Sequence, residues 1–287
     1  MNKTALISAL IALSAFFPAK ADDEAQTELR LNPQIEESRT LARQNYPFLN
    51  LEANKISMNG DDWSELRRQF AAARDSGELF SIVYLGDSHV QADFGGAVLR
   101  SRLAKEASSA GRGLIIPFKL AGTNQPADYT IRLTSPYLSS KLLKMPWSVE
   151  MPFTGIGVQP QTSRALFEIA ADEPFGLVRL HLRGELPQVA SARDLELNRS
   201  IDFEYTDSTI ILSRPTHRLG IEFEQTDKTV FGGFELLNGN GGILTHSIGN
   251  NGATYSSYAS IDRFGSQLVS LGADLVVIAL GTNEAFG

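Results

Sequence analysis

Apolar positions along the chain change their spacing twice. From Asp61 to Gly77 they recur with a helical period at Trp63, Leu66, Phe70 and Ala73, with Asp61 or Asp62 suited to the N-cap and Gly77 to the stop. The run Ile82–Leu85 predicts a buried strand, which ends at Gly86-Asp87 and hands over to Ser88. An amphipathic helix is predicted next, with Phe94, Val98, Leu99 and Leu103 inward and Arg100, Arg102, Lys105 and Glu106 outward. It runs to about Ser109. From Gly111 the helical period disappears. Leu177–Arg183, Ser200–Tyr205, Thr209–Leu212 and Leu219–Glu224 read as short strands between turn signals, which predicts an antiparallel β-sandwich over residues 120–240.

The first texture then returns. Gly239-Asn-Gly-Gly242 predicts a hairpin turn, since a phosphate cradle would need a helix after it and a strand follows. That strand, Ile243–Ile248, ends in Gly249-Asn-Asn-Gly252. Tyr255, Tyr258, Ile261, Leu268 and Leu271 mark a helix. Leu275–Leu280 is apolar throughout, as in a central parallel strand, and ends in Gly281-Thr-Asn-Glu284. The fold class expected is α/β with an inserted antiparallel β-sandwich. Residues 58–119 and 241–287 form the two parts of the α/β domain, after an irregular leader over 22–57.

Lys3, the apolar run Ala5–Phe17 and the small-x-small triplet Ala19-Lys20-Ala21 predict a secretory signal over residues 1–21. The run is too short to span a bilayer, so no membrane span is expected after cleavage. Loss of Lys3 and Lys20 moves the net charge from −7 to −9, with 24 basic against 33 acidic residues. So acidic a protein offers no electrostatic basis for nucleic-acid binding. Cys 0 removes disulfides and thiolate chemistry together. An exported chain without disulfides suits a bacterial periplasm.

Three strands thus end in glycine turns that each carry one useful group. Ser88 offers a hydroxyl, Gly252 a backbone N–H with no Cβ before it, and Asn283 an amide donor. A nucleophile with converging donors is equipment for acyl transfer. Gly86-Asp-Ser88, Gly249-x-x-Gly252 and Gly281-x-Asn283 resemble the first three sequence blocks of the SGNH (GDSL-type) hydrolases. The resemblance implies a flavodoxin-like sheet of order 2-1-3-4-5 in which these strands are 2, 1 and 3. It also implies Ser88 as nucleophile and oxyanion donor, Gly252 and Asn283 as the other donors, and no cofactor. Ser88 is not in a Gly-x-Ser-x-Gly elbow, because Asp87 precedes it and His89 follows.

Departures from the pattern refine the expectation. Glu284 stands where the family commonly has Asp. Ser88 and Gly252 lie 164 positions apart, the extra length being the strand-rich insert. That arrangement resembles bacterial envelope esterases, notably peptidoglycan O-acetylesterases whose insert looks like a carbohydrate-binding module. It implies an acetylated glycan or another ester as substrate. The family's Asp-x-x-His block is absent, and none of the 4 histidines stands in such a block. His89 is expected to line the site, His181 and His217 to serve surface or packing roles, and His246 to lie in the core. The chain reads as the N-terminal portion of a longer hydrolase, poorly soluble and nearly inactive as given. A non-catalytic glycan-binding envelope protein and a lipid or small-ester hydrolase are the alternatives. Asp93 is expected to cap a helix, and Tyr137, Trp147 and Phe153 to be core side chains rather than sugar platforms. No metal-ligand spacing is present.

Overall fold

The computed structural model describes residues 33–48, 50–51, 59–60 and 62–286. The expected signal sequence lies outside the described residues. The chain divides into two units after Arg68. In the first, the leader expected to be irregular carries, among the described residues, one helix, α1 (Pro33–Asn45), with Arg43 in its last turn. It has no apolar stripe to announce it, only a proline at the first helical position and a cation near the end. Helix α2 (Ser64–Ser76) starts where Asp62 Oδ1 accepts from Ser64 N at 2.9 Å. Trp63, expected within the helix, precedes it in left-handed backbone geometry at φ 55. Gly77 stops α2 at φ +71.

In the second unit, β1 (Leu79–Gly86) is followed by the single turn α3 (Ser88–Gln91) and by α4 (Phe94–Leu103). Ten strands come next: β2 (Gly113–Ile115), β3 (Tyr129–Leu133), β4 (Tyr137–Lys141), β5 (Ile156–Pro160), β6 (Arg164–Gly184), β7 (Gln188–Asp194), β8 (Arg199–Ser200), β9 (Phe203–Thr206), β10 (Thr209–Glu224) and β11 (Thr229–Leu237). Then follow β12 (Gly242–Gly249), α5 (Tyr255–Ala259), α6 (Phe264–Leu268) and β13 (Leu275–Ala279). The region expected to hold one helix from Tyr255 to Leu271 holds two short ones. Arg263, at φ 50, interrupts the helical backbone between them.

The parallel sheet has the order β12-β1-β13, so β1 is central and all three strands end at one level. Gly86 lies opposite both Gly249 and Ala279. Ile82, Val83, Leu85, Leu244 and Ile248 are buried, as a strand covered on both faces requires. β13, although apolar throughout, is an edge strand among the described residues, and Val276 and Ile278 on one of its faces are 41% and 50% exposed. Gly239-Asn-Gly-Gly242 is not a hairpin turn. β11 belongs to the antiparallel sheet and β12 to the parallel one, so the glycines carry the chain from one to the other.

The antiparallel strands form one continuous sheet, beginning already at Gly113 because β2 pairs with β11. Its long strands β6 and β10 serve two layers. The first half of β6 pairs with β3 and the second half with β11, and the β6–β10 register shifts between Ile211 and Thr216 and again before Arg218. Bulges at that level bend both strands. The layers close on Phe167, Phe223, Phe231 and Phe234, whose neighbouring rings lie 4.5–5.9 Å apart. The two segments read from sequence as Thr209–Leu212 and Leu219–Glu224 are one bent strand.

Candidate active site

The end of β1 is built on a steric requirement. A Cβ at Gly86 would overlap Val90 and lie 2.7 Å from the Ala279 carbonyl oxygen. A Cβ at Gly249 would overlap the Gln91 nitrogen and lie 2.7 Å from Asp87 O. The turn α3 therefore rests on two glycines that are cross-strand partners, and Ser88 is its first residue. Asp87 caps it, accepting from His89 N at 2.9 Å.

Asp87 joins this turn to the end of β13. Its carboxylate is buried, with Oδ1 also 2.9 Å from His89 Nδ1. Its Oδ2 accepts from Asn283 Nδ2 at 3.3 Å, and the same amide donates to Ala253 O at 2.9 Å. Glu284 braces the turn below, accepting from Gly281 N at 2.9 Å and from Tyr255 N at 2.7 Å. A longer acid than aspartate thus ties the strand end to the start of α5.

The Gly249–Gly252 turn is fixed from both sides. Asn250 N donates to Gly86 O at 3.2 Å, and Asn251 N donates to Gln91 Oε1 at 2.7 Å. Gln91, itself buried, donates onward to Asn124 O at 2.8 Å. Asn250 Nδ2 donates to Thr154 O at 3.0 Å, and Tyr258 Oη donates to Gly86 O at 2.7 Å. Burial pushes the Tyr258 phenol above its ordinary range, so it remains a donor. Gly252 follows at φ +80. Among the described residues, neither the Gly252 N–H, the Ser88 N–H nor the Ser88 hydroxyl has a hydrogen-bond partner.

Ser88, Gly252 and Asn283 are thus brought to the same end of the parallel sheet, as their positions after three strands suggested. The linking residues Asp87, Gln91, Asn250 and Tyr258 were not assigned these roles from sequence. Of the four, only Asp87 carries a signal in the sequence, an acid directly before a helical turn. Asp93 is a correction. It stands at the N-cap of α4 with φ 57 and makes no side-chain cap bond. Its buried carboxylate instead accepts from Arg100 Nη2 at 2.5 Å, Arg112 Nη2 at 3.1 Å and Ser247 Oγ at 2.6 Å. Arg100, expected outward, is turned inward by that contact.

The histidines separate by environment. His246 is fully buried; its Nδ1 accepts from Leu114 N at 3.2 Å and its Nε2 lies 3.1 Å from Ser81 Oγ. Burial pushes its pKa down to about 4. His217 is half-buried, with Nδ1 3.3 Å from Ala171 O. His181 is buried beside Glu235. His89 has a side chain 71% exposed and paired with Asp87. Phe153 is buried, and Tyr137 and Trp147 pack half-buried against the same cluster. Among the described residues there is no group of three or more His, Cys, Asp or Glu side chains placed to hold a metal ion, and none of the helices is long and apolar enough to cross a membrane.

No family model and no curated protein matches this chain. Among solved structures, the fold is similar to one described as a peptidoglycan O-acetylesterase in action, with a TM-score of 0.59 and 24% identity. The match covers 80% of this chain and 63% of that one, so the chain spans less than two thirds of that protein's length. The likeness establishes a shared fold, a parallel α/β sheet accompanied by a largely antiparallel one.

Proposed function

We propose that this chain carries the nucleophile and oxyanion-binding part of an SGNH-type serine esterase acting on O-acetyl groups of a cell-envelope glycan. The observation that carries the reading is the pair of unpaired backbone N–H groups, of Ser88 and Gly252, at the same sheet end as an unpaired serine hydroxyl. Ser88 Oγ attacks the ester carbonyl. The developing oxyanion accepts from Ser88 N, Gly252 N and Asn283 Nδ2, the last by giving up its long 3.3 Å bond to Asp87. As the ester C–O bond breaks, the proton released by Ser88 passes to the departing glycan oxygen, which leaves as an alcohol, and water then hydrolyses the acetyl-serine to acetate and free Ser88. The similarity in fold to a peptidoglycan O-acetylesterase supports the substrate class. Export to the periplasm belongs to the same proposal, and an intact mass beginning at Asp22 checks it.

The test is acetate release from O-acetylated peptidoglycan, and hydrolysis of p-nitrophenyl acetate, by the purified full-length protein. Ser88→Ala is expected to abolish both, and Asn283→Ala to slow them by about 10²–10³-fold. Acetate release unchanged by Ser88→Ala overturns the assignment. A second reading, a non-catalytic glycan-binding protein, is favoured by the absence of any base hydrogen-bonded to Ser88 Oγ among the described residues. Retention on peptidoglycan without acetate release would decide for it.

A further inference from the structure

The end of β4 and the turn after it line a cavity of about 380 Å³, within the range of small-molecule sites. Its polar lining is Ser139, Ser140, Lys141, Lys144 and Ser148, and no acidic side chain lines it. Lys144 N donates to Lys141 O at 3.0 Å, so one tight turn carries both lysines. Neither side chain has an ion pair or a hydrogen bond among the described residues. The chain holds 33 acidic against 26 basic residues, yet these two cations repel each other with no acid between them.

Ser140, 6% exposed, adds a third donor. Its Oγ accepts from Ser148 N at 2.8 Å and from Val149 N at 3.1 Å, which occupies both lone pairs. Its proton has no acceptor among the described residues, and the side chain lines the cavity. Two ammonium groups and a buried hydroxyl proton call for an anionic acceptor. Phosphate suits the place less than carboxylate does, because phosphate sites draw on free backbone N–H groups. Here those of Gly122, Lys144 and Ser148 are already bonded, to Lys119 O, Lys141 O and Ser140 Oγ. Both chain segments that line the cavity continue to the Gly249–Gly252 turn. Leu143 Cγ is 4.0 Å from where a Cβ on Gly252 would stand. Thr123 and Asn124, which follow Gly122, accept from Asn251 Nδ2 at 3.3 and 2.6 Å.

We propose that this cavity binds the carboxylate of an acidic substrate through Lys141, Lys144 and Ser140, beside the turn that presents Gly252. That the bound molecule is the ester cleaved at Ser88 rests on the esterase reading; the carboxylate site itself does not. The experiment reductively methylates the full-length protein and reads Lys141 and Lys144 by peptide mass mapping. The probes are N-acetylmuramic acid, its neutral methylamide and inorganic phosphate. The acid is expected to protect both lysines saturably, and the other two are expected not to. In calorimetric titration, Lys141→Gln with Lys144→Gln should bind the acid about tenfold more weakly, as for a lost charged hydrogen bond, and should keep the melting temperature. The same double variant should lower kcat/KM on O-acetylated peptidoglycan about tenfold relative to that on neutral p-nitrophenyl acetate, through KM. No protection by the acid, equal protection by the methylamide or by phosphate, or unaltered binding in the double variant overturns the carboxylate site. Protection without any ester turnover upholds that site and overturns the Ser88 reading. Turnover with an unchanged ratio of the two substrates overturns the link between them.

Discussion

A buried imidazole that stays neutral makes this fold sensitive to acid. The folded-state pKa of His246, about 4, lies below its ordinary 6.5. Between those values the unfolded chain binds the extra proton and the folded one does not, so stability is full above the upper value and is lost as pH falls toward the lower one. The difference corresponds to about 3 kcal/mol. Urea unfolding at pH 7 and pH 4 should show that loss in the wild type and a flatter profile in His246→Gln; equal slopes would refute it. Asp93 makes a different demand. Asp93→Asn leaves Arg112, 3% exposed, with less compensation, and should cost about 3–5 kcal/mol in the same assay. The four histidines also differ in what chemistry they could serve. His246 has both ring nitrogens committed in the core, whereas His89 is exposed, next to Ser88 and held by a buried carboxylate. Ester hydrolysis by these residues alone would therefore be lost in His89→Ala and kept at pH 7 in His246→Gln.

Among the elements, the turn carrying Ser88 depends on two glycines more than on any side chain. Gly249→Ala would drive a methyl into the backbone of α3, and should displace Ser88 and abolish acetate release. Gly252→Ala meets nothing nearer than 4.0 Å and should cost about 1–2 kcal/mol for its φ of +80. Comparing hydrolysis and melting temperature in the two variants separates steric from conformational need. These turns were legible because each glycine breaks a strongly apolar run. What the runs could not show is where polar side chains go. Arg100 looks like a solvated helix residue until Asp93 and Asp128 are brought to it by elements 7 and 28 positions away. The break near Arg263 was hidden too, because Tyr258, Ile261 and Leu271 are all buried and keep the apolar pattern going. Likewise β10 read as two strands, and only the second half of β6 read as a strand at all, since a bulge interrupts the alternation without ending the strand.

At the scale of the molecule, the parallel sheet and the antiparallel sheet face different problems. The antiparallel sheet bends over its own phenylalanines and closes a core. The parallel sheet is left with β13 at its edge, paired among the described residues with β1 alone. The apolar composition of Leu275–Leu280 made it look central, and the sequence could not say what covers it. Val276 and Ile278 are 41% and 50% exposed on one face, while Leu275, Val277 and Ala279 on the other are half-buried. An apolar edge with free backbone groups is a template for pairing with another chain. The protein should therefore self-associate as its concentration rises. Val276→Lys with Ile278→Lys should cost about 1 kcal/mol or less, because both side chains are substantially exposed, and should keep the β-sheet circular dichroism signal. Light scattering and size-exclusion chromatography across a concentration series should show association in the wild type and a monomer in the double variant. A wild type that remains monomeric throughout would show that this edge is no template for self-pairing.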